Sequence, residues 1–101
     1  MSFKLKKTTE ADTQFHALQT DPSLAIQFKA VRKALAYLEN NPRHPGPRTH
    51  KHQSLSQQYD LEIYEAYAQN MTPGAYRIFW FYGPKTGEIT VLSIVQHPYP
   101  Q

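Results

Sequence analysis

Apolar and polar positions alternate with two different periods along this chain, and the change between them divides it into two halves. Near the start, Phe3-Lys4-Leu5-Lys6 alternates apolar and basic residues, the pattern of a short, half-buried strand with lysines suited to a sheet edge. Thr9 and Asp12 then resemble a capping box, and Ala11, Phe15 and Leu18 keep helical spacing to about Gln19. Asp21-Pro22 signals a second helix start, with an N-cap acid followed by proline at the first helical position. From there Leu24, Phe28, Val31, Leu35 and Leu38 recur at steps of four and three, and form one apolar stripe. Asn40-Asn41-Pro42 ends that helix.

Beyond the proline-rich loop NPRHPGPR the period falls to two. Thr49 to Leu55 reads as a basic, strand-like piece, and Gln57 to Asp60 reads as a polar turn. Three strands follow, in DLEIYEAYAQN, AYRIFWFYG and EITVLSIVQHP, rich in aromatic and β-branched residues and separated by Gly/Pro turns. The expected order is β-α-α-β-β-β-β, an α+β fold in one domain spanning residues 1–101. Its two helices pack on one face of a mostly antiparallel sheet.

Arg77 stands inside an otherwise apolar strand, and a charge there is either paired or used. If Gln69 pairs with Ala75, Tyr67 lies opposite Arg77 and Glu65 opposite Phe79. If Phe81 lies opposite Ile89, Arg77 faces Ser93. This register gathers Glu65, Tyr67, Arg77, Ser93 and His97 on one face, leaving Tyr64, Ala66, Trp80, Leu92 and Ile94 to meet the helices. It keeps polar groups out of the helix-facing core, where they would be costly without partners.

Composition narrows the classes. A hydrophobic content of 40%, with 5 Phe, 7 Tyr and 1 Trp, argues for a folded domain with a modest core. There is no cysteine, which excludes disulfides, thiolate zinc sites and thiol nucleophiles, and tilts the expectation towards the cytoplasm. No apolar run reaches membrane-spanning length, and the N-terminus lacks a signal-peptide core, so no membrane partner is expected. The net charge is only +3, but its distribution is uneven. Between Glu39 and Asp60 no acid occurs, while Arg43, His44, Arg48, His50, Lys51 and His52 do. Such a segment attracts polyanions or an acidic partner, or is simply a solvated basic loop. His50 and His52 project to one side of an extended chain, but two histidines without cysteine make a poor metal site, and neither metal nor cofactor is expected. Asn70-Met71-Thr72 matches a glycosylation acceptor, which a cytoplasmic chain would not use.

The element order, the Tyr76-Arg77-Ile78 opening of the middle strand and the last strand running into His97-Pro98 together resemble the RelE/ParE superfamily. Its members are toxins of type II toxin–antitoxin pairs. The resemblance implies a cognate antitoxin as partner and one of two activities: ribosome-dependent mRNA cleavage without metal, or poisoning of DNA gyrase. It also implies a phosphate-holding role for Arg77, a general acid or base role for His97, and a terminal aromatic at Tyr99. Metal-free RNA cleavage needs a base for the 2′-hydroxyl, cationic donors for the phosphate and an acid for the leaving oxygen. Glu65 is the candidate base; Arg48, His50, Lys51, His52 and Tyr67 are candidate RNA contacts. The chain departs from the RelE pattern where Glu65 and Tyr67 replace a lysine pair. Against these roles stand a cross-hairpin ion pair of Arg77 with Glu65 or Glu62, and an ordinary strand-end histidine at position 97. A gyrase inhibitor and an inactive interaction module remain as rivals.

Overall fold

A computed structural model describes residues 2–97 of the chain. Strand β1 (Lys4–Lys7) leads into helix α1 (Thr9–Thr20), and a 3-10 turn (Pro22–Leu24) leads into helix α2 (Ala25–Asn40). Strand β2 (His50–Lys51), helix α3 (Gln53–Tyr59) and strands β3 (Tyr64–Tyr67), β4 (Tyr76–Tyr82) and β5 (Glu88–Gln96) complete the order. The sheet runs β1-β5-β4-β3-β2, with β1 parallel to β5 and every other pair antiparallel.

The stripe on α2 behaves as its spacing predicts, since Val31, Ala34, Leu35 and Leu38 are buried. With Ala11 and Leu18 of α1 they meet Ala66, Ile78, Trp80, Ile89, Val91 and Ile94 from the sheet. The cap of α1 is Thr8 rather than Thr9. Its hydroxyl accepts from Ala11 N at 3.1 Å and donates to Leu92 O at 2.8 Å, so one side chain starts the helix and ties it to β5.

Two expectations are overturned. The piece from Thr49 to Leu55 is a strand for only two residues, and α3 replaces the rest of it and the turn that followed. His52 Nδ1 accepts from Leu55 N and caps the helix. Ser56 Oγ accepts from Ile63 N and donates to His52 O, which anchors α3 at the start of β3. The segment QSLSQQY carries one apolar residue apart from its terminal tyrosine, so no helical stripe marks it in the sequence.

The register of β5 also differs. Tyr67 does lie opposite Arg77 and Glu65 opposite Phe79. Across the second hairpin, however, Phe81 pairs with Thr90 and Arg77 with Val95, because a bulge opens beside Phe79/Trp80. The extra residue is Leu92, which lies between the partners of those two residues. A bulge reverses side-chain alternation from that point on. Ile89 and Val91 therefore join the helix-facing core, whereas Leu92, expected there, lies only partly buried outside the core cluster. Gln14 Oε1 accepts from Ile94 N beyond the end of β1, at 2.6 Å.

Candidate functional site

Helices α1 and α2 cover one face of the sheet, and the other carries the polar residues. Next to α3, Ile63 is fully buried yet outside the main core cluster, and His52 meets the Phe79 ring edge-on at 5.3 Å. Further along the same face, alternation brings Glu65 and Tyr67 of β3 beside Arg77 of β4 and Ser93 and Val95 of β5.

Arg77 is the centre of this group. Its Nε lies 3.5 Å from Glu65 Oε2, and both side chains are only 8% exposed. Its Nη1 donates to the carbonyl of Gln69, and its guanidinium carbon sits 3.8 Å from the Tyr67 ring centroid. A planar guanidinium satisfies all three at once: a carboxylate, a carbonyl and an aromatic face. The cost of burying two charges is offset by their pairing and by these added contacts.

Glu65 is shared. Its Oε1 lies 3.1 Å from His50 Nε2, and His50 Nδ1 lies 3.1 Å from the carbonyl of Arg48. Both ring nitrogens thus face acceptors, so a doubly protonated imidazole donates to both and a neutral one to only one. The ring also meets Tyr67 edge-on at 5.6 Å. His50 is half-exposed, which makes it the solvent-facing end of a chain running Arg77–Glu65–His50.

The remaining expected site residues are spread around this network. The backbone N–H of His97 donates to Ala75 O, and the register carries His97 to the same side as Ser93 and Val95, at the open end of β5. His97 is exposed. Lys51 projects to the opposite side from His50 and lies 3.7 Å from Glu62. Arg48 is exposed and takes a left-handed backbone conformation at φ 50°. His52 is committed to capping α3. Tyr99 lies outside the described residues. Among those residues no three metal-ligating side chains converge.

A cleft of about 730 Å³ adjoins the network, with His52, Leu55 and Tyr59 on the α3 side, Phe79 and Ser93 on the sheet, and Gln14 on α1. Neither this cleft nor the Gln69 carbonyl was readable from the sequence. The cleft depends on α3 and the carbonyl on backbone geometry.

No family model matches the chain, and no curated protein matches it by sequence. Solved structures do match in fold. A YoeB/ParE toxin from Agrobacterium tumefaciens superposes with a TM-score of 0.70 at 10% identity, covering 93% of this chain and 98% of that one. The archaeal RelE-RelB complex from Pyrococcus horikoshii OT3 gives 0.66 at 19% identity, with 99% and 100% covered. The YoeB dimer from Staphylococcus aureus gives 0.68 at 13% identity, with 98% and 100% covered. The chain therefore has the α+β fold of the RelE/YoeB toxins over nearly its full length, at identities where only the fold is shared information.

Proposed function

We propose that the chain is the toxin of a type II toxin–antitoxin pair and acts as a metal-independent, ribosome-dependent mRNA endonuclease. The observation that supports this most is the Arg77–Glu65–His50 network, placed on the sheet face that α1 and α2 leave uncovered. A RelE-type fold with a buried, oriented cation on that face suits phosphate chemistry. The partner in this reading is an antitoxin, as in the archaeal RelE-RelB complex, with the ribosome and mRNA as targets.

In this mechanism Arg77 supplies positive charge to the scissile phosphate from a guanidinium already fixed by Glu65, Gln69 and Tyr67. The remaining N–H groups of the guanidinium would meet a phosphate oxygen. Glu65 holds both Arg77 and His50, so its role shifts from general base to orienting carboxylate. His97 and His50 are then the groups that move protons. One takes the proton of the 2′-hydroxyl as it attacks phosphorus, and the other returns a proton to the departing 5′-oxygen. The products are a 2′,3′-cyclic phosphate and a 5′-hydroxyl. Arg48, just before β2, and Lys51, its last residue, would hold RNA phosphates further along the strand.

A second reading is favoured by one specific observation. Arg77 and Glu65 are almost completely buried and lie 3.5 Å apart, as the members of a purely structural pair would. In that case the helix surface carries the activity, as in a ParE-like gyrase inhibitor. Primer extension on a defined mRNA in a reconstituted translation reaction, with and without ribosomes, separates the two. The endonuclease reading expects cuts only on ribosome-bound message, lost in His97→Ala. An uncut message, together with gyrase inhibition by the same protein, would establish the rival.

A further inference from the structure

A second cleft, of about 550 Å³, opens where α2 ends and the proline-rich loop crosses the sheet. It involves the face that α1 and α2 cover, not the face of Arg77. Its aromatic wall is Tyr64, Trp80 and Tyr82. Tyr64 stacks on Trp80 at 4.9 Å, and Tyr82 meets Trp80 edge-on at 4.9 Å. Tyr82 is 45% exposed and Tyr64 partly so, whereas Trp80 forms the buried floor behind them. The opposite wall carries Arg43 and Arg48.

Neither arginine forms an ion pair among the described residues, and the neighbouring Glu62 is already held by Lys51 and the Tyr64 hydroxyl. The loop that presents them is pinned. Pro42 and Pro47 are buried, His44 stacks on Tyr37 at 4.1 Å, and turn bonds join His44 to Asn41 and Arg48 to Pro45. Arg48 adopts its left-handed conformation here without being glycine, a strain that clusters at binding sites. A further observation points the same way. Three buried side-chain polar atoms in the described chain lack a partner, and two of them, Trp80 Nε1 and Thr49 Oγ1, belong to residues lining this cleft. Buried indole N–H groups usually find an acceptor.

We propose that this cleft binds one nucleotide, its base against Tyr64 and Tyr82 and its phosphate between Arg43 and Arg48. The volume falls within the range of ligand sites and exceeds what a lone carboxylate or phosphate would fill. Aromatic faces stack any base, and paired guanidinium groups match a phosphate in geometry and charge. The nucleotide is either free or one unit of a single strand, and the site stands independently of cleavage chemistry at Arg77.

Trp80 is the only tryptophan and lines this cleft, so its fluorescence serves as the reporter. The full chain is titrated with adenosine and uridine 5′-monophosphates, adenosine, inorganic phosphate and a five-nucleotide oligoribonucleotide, at fixed ionic strength. Saturable quenching by the monophosphates is expected, with a shift of the Trp80 indole N–H resonance. Tyr82→Ala should weaken binding about tenfold, and Arg43→Ala/Arg48→Ala should weaken it further, with thermal midpoints checked for each variant. Tighter binding of the oligonucleotide marks a strand as the source, and equal binding marks the free nucleotide. His97→Ala should bind as wild type even where cleavage is lost, which keeps failure here separate from failure of the endonuclease reading. No quenching at millimolar monophosphate, equal quenching by inorganic phosphate, or quenching unchanged in the folded double-arginine variant would overturn the site.

Discussion

The two faces of the sheet are made by the same strands and obey opposite rules. On the helix-covered face, Ala66, Ile78, Trp80, Ile89, Val91 and Ile94 form an apolar layer against α1 and α2. On the other, Glu65 and Arg77 are almost as buried, yet charged, and Tyr67 and His50 extend their network towards solvent. The first face needs only apolar surface of fitting shape. The second needs a matched set, because removing Glu65 leaves Arg77 buried without its counterion. A chain selected for stability alone gains little from such a pair, since apolar residues of similar volume serve as well or better. The contrast is the physical reason for placing function on the open face.

The comparison is most strongly tested by truncations on either side. Trp80→Ala removes the largest fully buried side chain and is expected to cost about 4 kcal/mol, read from urea unfolding. Glu65→Ala removes a much smaller group but strands Arg77, and should cost about 3 kcal/mol in the same assay. A loss below about 1 kcal/mol would mean that Arg77 finds water or another partner, and that the face is more open than its burial implies.

The bulge supplies a finer test. Ile94→Ala, on the core side, should cost about 2–4 kcal/mol. Leu92→Ala, at the bulge and outside the core, should cost about 1 kcal/mol or less. Equal losses would return Leu92 to the core and contradict the register. The smallest effect concerns Asp21, whose carboxylate accepts from Ser23 N and Ser23 Oγ. These bonds hold its pKa below the ordinary 3.8. A folded-state pKa below the unfolded one stabilises above the unfolded value, and that contribution disappears as pH falls through the folded value. Wild type should therefore lose slightly more stability than Asp21→Asn between pH 5 and pH 2, measured by urea midpoints.

Much of this organisation is legible in the sequence because it is periodic. The α2 stripe, the three aromatic strands and the pairing of Tyr67 with Arg77 follow from periods of 3.6 and 2 and from a single turn. What escaped has no period. Helix α3 is polar and is held by Ser56 and a histidine cap, and the bulge at Leu92 is one inserted residue that reverses the faces of Ile89 and Val91. The site was legible in part for the same reason. Cross-strand pairing brought Glu65 near Arg77, whereas the bond from His50 to Glu65 depends on where a two-residue strand stops. Read from the sequence, His50 is an RNA contact; in the structure it terminates the network.

Under the endonuclease proposal, the buried charge pair is kept for chemistry rather than for folding. Replacing both members together, in Arg77→Met/Glu65→Leu, tests it directly by measuring cleavage of ribosome-bound mRNA alongside the urea midpoint. The expected double variant folds within about 1 kcal/mol of wild type and no longer cuts. A folded double variant that cuts as well as wild type would contradict it and leave the pair as packing.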